Sequence, residues 1–206
     1  MDAQRTEAWF AKRLGKLTGS AFNEVMNLTA KGEPGAGRKN LIVKLAIERI
    51  TGQTIDGYQN AAMRRGIELE PEARSAYEAA TGNLVDQIDF IDHPVHAFIG
   101  VSPDGLIDAD GMVEFKCPES QHKHFAALTN SAHVREYWYQ IQGQMWVAGR
   151  QWNDAVSYDP RFPKHLHLAI SRVHRDEKAI KELETQCLAV EAEILASVEF
   201  MKKLAA

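Results

Sequence analysis

The chain has 206 residues, 45% hydrophobic and 25% charged, with a formal net charge of −4. That composition is globular and long enough to bury one sizeable core, and no apolar run is long enough to span a membrane. Two cysteines, Cys117 and Cys187, exclude a disulfide framework and a four-cysteine metal or iron–sulfur site. The opening stretch MDAQRTEAWFAKR is charged and lacks an apolar signal core, so a cytoplasmic location is expected. The negative charge does not exclude nucleic acid, because binding depends on a local basic patch and an acidic metal cluster lowers the sum.

In chain order, residues 29–40 (TAKGEPGAGRKN) read as a mobile loop, with the basic residues Lys31, Arg38 and Lys39 expected at the surface. Apolar spacing predicts a helix over residues 38–50, stopped by Gly52. A second helix is predicted over residues 61–81, stopped by Gly82, with a kink or break at Pro71. The period then shortens. LVDQIDFID (84–92), HAFIGVSPDGLID (96–108) and MVEFKCP (112–118) read as three successive antiparallel strands, with DADG as a turn. Helical pattern returns over residues 121–128 and 133–148. Strands follow at 154–159 and 166–175, and a long amphipathic helix closes the chain over 176–204. The order implies an α/β (α+β) fold, with a central mixed β-sheet flanked by helices.

The stretch VSPDGLIDADGMVEFKCP carries the chemistry. On a strand, Glu114 and Lys116 share one face, while Val113, Phe115 and Cys117 share the other and suit a core. The LIDADGMV hairpin returns Asp104 toward Glu114. Two adjacent carboxylates repel and are costly to desolvate, and a divalent cation such as Mg²⁺ resolves both costs. A neighbouring lysine would orient a water or steady charge on a phosphate. The bland alternative is a solvated turn with Lys116 as an ion-pair partner. Pro103 and Gly105 around the aspartate, the amphipathic strand, and a further carboxylate at Glu70 argue against it.

SPDG, EFKCP and the upstream GIELEPEAR resemble the PD-(D/E)XK nuclease superfamily. With AWFAKRLGKLTGS, YQIQGQMWVAG, YDPR and RDEK, the chain is similar over nearly its whole length to the phage lambda exonuclease or YqaJ viral recombinase family. The resemblance implies a restriction-endonuclease-like core in a single nuclease domain over residues 1–206. It implies a Mg²⁺-dependent enzyme, with Mn²⁺ as a substitute. Such an enzyme degrades one strand of linear double-stranded DNA from a 5′ end and leaves a 3′ overhang for a single-strand annealing protein. It works as a homotrimer ring. Carried over, Asp104 and Glu114 would bind metal with the backbone carbonyl of Phe115, Lys116 would serve the attacking water, and Glu70 would complete the acidic cluster directly or through water. Arg13, Ser20, Ser102 and Gln140 match a pocket for the terminal 5′-phosphate. The alternative for Arg13 and Ser20 is an ordinary helix entry capped by Ser20. Gln142 competes with Gln140, and the motif register puts Gln142 nearer the metal. Arg64, Arg65 and Tyr137 are candidate DNA contacts. The histidine pairs His122/His124 and His165/His167 are not expected to bind metal. The competing functions are an endonuclease with the same motif and a catalytically inactive DNA-end-binding protein.

Overall fold

A computed structural model describes residue 4, residues 6–55 and residues 61–204. The chain begins with α1 (Glu7–Arg13), whose N-cap Thr6 side chain accepts from the Trp9 N–H. The short strand β1 (Leu17–Thr18) and the single turn α2 (Phe22–Val25) follow. Helix α3 (Ala36–Thr51) begins two residues earlier than its apolar spacing predicts and ends on Gly52, at φ +67°. Only glycine adopts that conformation without strain, and its N–H closes the helix on the Glu48 carbonyl.

Helix α4 (Ala61–Thr81) runs through Pro71 without the expected break. Proline removes one N–H and leaves the Ile67 carbonyl without its helical donor. Burial of Ala73 and Tyr77 on the next turns holds the helix regardless.

The three expected strands become four: β2 (Ile91–Asp92), β3 (Ile99–Val101), β4 (Gly105–Ile107) and β5 (Gly111–Lys116). They fall in two mixed sheets rather than one central sheet. The first has the order β1-β3-β2, with β1 parallel and β2 antiparallel to β3. The second, β4-β5-β6-β7, adds β6 (Trp152–Tyr158) and β7 (Leu168–His174), with only β5 and β6 parallel. The sheets divide at Ser102, Pro103 and Asp104. Ile91 pairs with Val101, and an isolated bridge joins Asp86 to Leu106, so one antiparallel register continues across the gap. Pro103 has no N–H to give that ladder. Side chains from the N-terminus fill in. Gln4 Nε2 donates to the carbonyls of Ile88 and Pro103, both at 2.9 Å, and Trp9 Nε1 donates to the Asp89 carbonyl at 3.0 Å.

After β5 come α5 (Gln121–Asn130), α6 (Ala132–Glu136) and α7 (Trp138–Ala148). The single helix expected over residues 133–148 is interrupted at Tyr137, whose backbone (φ −111°, ψ 19°) is not helical. The last helix, α8 (Glu177–Leu204), is capped by Asp176, whose carboxylate accepts from the N–H groups of Lys178 and Ala179.

Alternation in β5 decides the packing. Val113, Phe115 and Cys117 join Ala73 and Tyr77 of α4 with Val156 and Tyr158 of β6. Met112, on the other face, packs with Ile141 and Met145 of α7. A third cluster unites α3, α8 and the smaller sheet through Leu45, Ile99, Val101, Leu183 and Ile194. No described helix is long and apolar enough to cross a membrane.

Candidate active site

Strand β5 carries Glu114 and Lys116 on the face turned toward α7, and the hairpin sets Gly105 opposite Val113. The next pair outward is Asp104 and Glu114. Asp104 Oδ2 accepts from the Phe115 N–H at 2.7 Å, which anchors the carboxylate over the strand. Gly105 is required beside it, because a Cβ there would collide with the Val85 side chain.

Glu114 is buried and has three donors. Its Oε1 accepts from Lys116 Nζ at 2.7 Å and from Gln140 Nε2 at 2.5 Å, and its Oε2 accepts from Gln144 Nε2 at 2.6 Å. Lys116 also donates to Gln140 Oε1 at 3.3 Å and lies 4.4 Å from the centre of the Tyr137 ring. Glu70 enters from α4 and accepts from Arg74 Nη2 at 3.2 Å, one turn further along the helix.

The electrostatics are those of a site short of positive charge. Burial, then Glu114 and Glu70, push the Asp104 carboxyl well above the usual carboxylate range, against the smaller pull of Lys116 and the Phe115 N–H. Burial draws the Lys116 ammonium down, but Glu114 and Asp104 outweigh it and hold the lysine above its ordinary value. Cys117, on the core face of the same strand, is pushed up to about 12 by burial and Asp104, so it is an inert thiol.

Asp104, Glu114, Lys116 and Glu70 line one cavity of about 1380 Å³ together with Arg13 and Ser20. Arg13 Nη1 donates to Ser102 Oγ at 3.1 Å and Nη2 to Thr18 Oγ1 at 3.3 Å, and the guanidinium stacks 4.1 Å from the Trp9 ring centre. Burial lowers Arg13 to about 10, opposed by Glu48, which leaves it charged at neutral pH. Ser102 Oγ also accepts from Trp9 Nε1 at 2.9 Å, so its own hydroxyl proton is free for a further acceptor. Thr18 and Ser20 place their hydroxyls 3.5 Å apart. Ser20 lies in a short 3₁₀ turn rather than capping a helix. Three of the four residues assigned to the phosphate pocket therefore gather around Arg13. The fourth, Gln140, sits on Glu114 and Lys116.

Other expectations are corrected. Gln142 is fully buried on the far side of α7, where Nε2 donates to the His174 carbonyl and Oε1 accepts from the Asp176 N–H. It does not reach Glu114; Gln144, which the motif comparison passes over, does. Positions 140 and 144 are one helical turn apart and share a face, whereas 142 points away. Arg65 donates to Asp159 Oδ1 at 3.2 Å and to the Pro118 carbonyl at 3.3 Å, so two of its nitrogens are engaged within the fold. Arg161 closes the same clamp on Asp159 at 2.6 Å. Arg38 is not on a mobile loop but buried in α3, bound to Gln186 and Glu193 of α8. Arg64 is exposed at the start of α4, and Tyr137 lines the cavity over Lys116.

The YqaJ-like viral recombinase domain profile matches residues 8–151, well over half of the chain. The chain belongs to the YqaJ-like viral recombinase family. Among solved structures it is similar to an alkaline exonuclease (LHK-Exo) from Laribacter hongkongensis, at 42% identity and TM-score 0.89, over 97% of this chain and 98% of the other. The complex of LHK-Exo with dAMP superposes equally well, at the same identity and coverage. A phage-related exonuclease from Haemophilus somnus 129PT shares the fold at 16% identity, TM-score 0.75, over 90% of this chain and 96% of that one. No curated protein matches the chain in sequence. The YqaJ-like chain thus has the PD-(D/E)XK fold.

In this family member the donor set suits a hard divalent cation. Asp104, Glu114 and the Phe115 carbonyl offer oxygen only, and Mg²⁺ ordinarily takes one or two carboxylates and fills the rest with water. The elevated Asp104 carboxyl marks the place where a cation would relieve repulsion. Among the described residues no group of three histidine, cysteine or carboxylate side chains is placed to hold a metal ion.

Proposed function

We propose that this protein is a Mg²⁺-dependent 5′→3′ exonuclease. It degrades one strand of linear double-stranded DNA from a 5′-phosphorylated end and leaves a 3′ overhang. The observation that carries the reading is one cavity lined both by the Asp104–Glu114–Lys116 set and by Arg13 and Ser20. An internal cutter has no use for a terminal-phosphate pocket beside its cleavage site. The 42% identity to an alkaline exonuclease, also known bound to dAMP, supports the same reading.

Asp104, Glu114 and the Phe115 carbonyl would hold the cation, with Glu70 reaching it through water. When bound, the metal supplies charge neutralisation for the scissile phosphate and a site of lowered water pKa. Lys116, held above its ordinary value, acts as a charged donor that orients the attacking water and steadies charge on the phosphate. Gln140 fixes the Lys116 ammonium through Oε1 and Glu114 through Nε2. Arg13, with Ser102 and Ser20 beside it, binds the terminal phosphate, whose near-double charge suits a guanidinium fork and hydroxyl donors. Mn²⁺ substitutes for Mg²⁺. The enzyme works as a homotrimer ring that hands its overhang to a single-strand annealing protein in the cytoplasm.

The test is digestion of linear duplex by wild type, Asp104→Asn and Lys116→Met, with Mg²⁺ and with chelator. The proposal expects Mg²⁺-dependent release of nucleotides by wild type and loss of more than about 100-fold in either variant. Undiminished digestion by both variants would refute the site.

A further inference from the structure

We infer that Gln144 is a positioning residue for Glu114, the near end of a directional relay that begins at Asn153. The inference rests on the reading of Glu114 as a metal ligand. Asn153 Nδ2 donates to Gln144 Oε1 at 3.2 Å, and Gln144 Nε2 donates to Glu114 Oε2 at 2.6 Å. All three residues are at most 4% exposed.

The direction of the relay is fixed by its carboxylate end. Lys116 and Gln140 already donate to Oε1, so Glu114 is an acceptor on both oxygens. Turning the Gln144 amide over would set its carbonyl oxygen against Oε2 and its amino group against the amino group of Asn153. At the far end, Asn153 Oδ1 is buried without a partner among the described residues. That cost is tolerated where the relay ends in the sheet, between β5 and β7.

The surroundings make the relay hard to replace. Ile141 and Met145, beside the glutamine on α7, pack with Met112 and Ala155 of the sheet. Without Gln144, Glu114 Oε2 would lose its donor, and the carboxylate would be held through Oε1 alone, by Lys116 and Gln140. Gln144 therefore sets the plane of the Glu114 carboxylate by holding its second oxygen, although it does not line the cavity itself.

The experiment is Mn²⁺ titration of the DNA-free protein, followed by loss of the free-ion electron paramagnetic resonance signal, with metal-free thermal melts alongside. The proteins are wild type, Asp104→Asn, Gln144→Met and Asn153→Ala. Wild type should bind, and Asp104→Asn should not. Folded Gln144→Met should bind roughly 10–100-fold more weakly, the usual effect of losing a partner that orients a ligand. A Gln144→Met variant that melts lower but binds Mn²⁺ within about twofold of wild type, while Asp104→Asn has lost binding, would reduce Gln144 to a packing role and overturn the inference alone. Equal binding by wild type and Asp104→Asn would overturn the metal-site reading and the relay together. Should Gln144→Met not fold, Asn153→Ala decides: it keeps the Gln144 donor but frees it, and weakening of about threefold or more is expected, against none if the relay is idle.

Discussion

Replacing Arg13 with Gln tests end recognition apart from phosphodiester cleavage. Arg13 has five N–H donors, and Ser102 and Thr18 engage two of them. Three remain for a phosphate, and stacking on Trp9 holds the guanidinium plane so that little ordering is lost on binding. Two charge-assisted bonds at about 1.5 kcal/mol each amount to about 3 kcal/mol, the lower end of the usual range. That corresponds to about two orders of magnitude in relative rate. Arg13→Gln should therefore lower kcat/KM for a 5′-phosphorylated duplex by about 100-fold, while the 5′-hydroxyl duplex changes by about twofold or less. Arg13→Lys keeps the charge but loses the fork, so a loss of about tenfold is expected. The assay is initial-rate digestion of two linear duplexes that differ only in the terminal group. An unchanged ratio between the two ends in Arg13→Gln would refute the pocket assignment, whatever happened to the absolute rates.

Stability offers two further checks. Tyr77 donates to Asp154 Oδ2 at 2.6 Å, deep beneath α4, while Arg172 grips the same carboxylate at 2.8 and 2.9 Å. Tyr77→Phe should cost about 1.5–3 kcal/mol, a fall in melting temperature of roughly 3–12 °C for a chain of this size, with an unchanged Tm contradicting it. His93 Nδ1 accepts from the N–H groups of Val95 and His96, and burial followed by repulsion from His96 holds its pKa below the usual histidine value, against the pull of Glu184. The unfolded chain thus takes up a proton before the folded one does. This contribution is full above about pH 6.5 and is lost as pH falls below it toward the depressed folded value. His93→Asn keeps an acceptor for both N–H groups and removes the titration, so its melting temperature should fall less than wild type between pH 7.5 and 5.5. Parallel slopes would assign the acid sensitivity elsewhere, with buried His133 the next candidate.

The catalytic strand was readable because a strand's two-residue period is unforgiving. Once Val113, Phe115 and Cys117 are assigned to the core, Glu114 and Lys116 must face the other way, and the DADG turn returns Asp104 to Glu114. Helix-borne residues were harder. Gln140, Gln142 and Gln144 alternate in the sequence, and only helical geometry separates the two that reach Glu114 from the one that ties α7 to β7 and α8. The break at Tyr137 has no glycine or proline to announce it. Arg38 and Arg65 were read as exposed cations because arginine usually is exposed. Their partners lie 53 or more positions away, and nothing local in the sequence names them. The division into two sheets rests on Pro103, which was legible as a bend but not as the end of one ladder.

The most direct measurement labels the two strands of a linear duplex with different fluorophores at their 3′ ends and follows each by denaturing electrophoresis, with Mg²⁺ and one 5′-phosphate. The account predicts progressive shortening of the 5′-phosphorylated strand from its 5′ end, a partner strand that stays full length, and an untouched covalently closed circle. Shortening of both strands from internal cuts, with the circle opened at a similar rate, would contradict it.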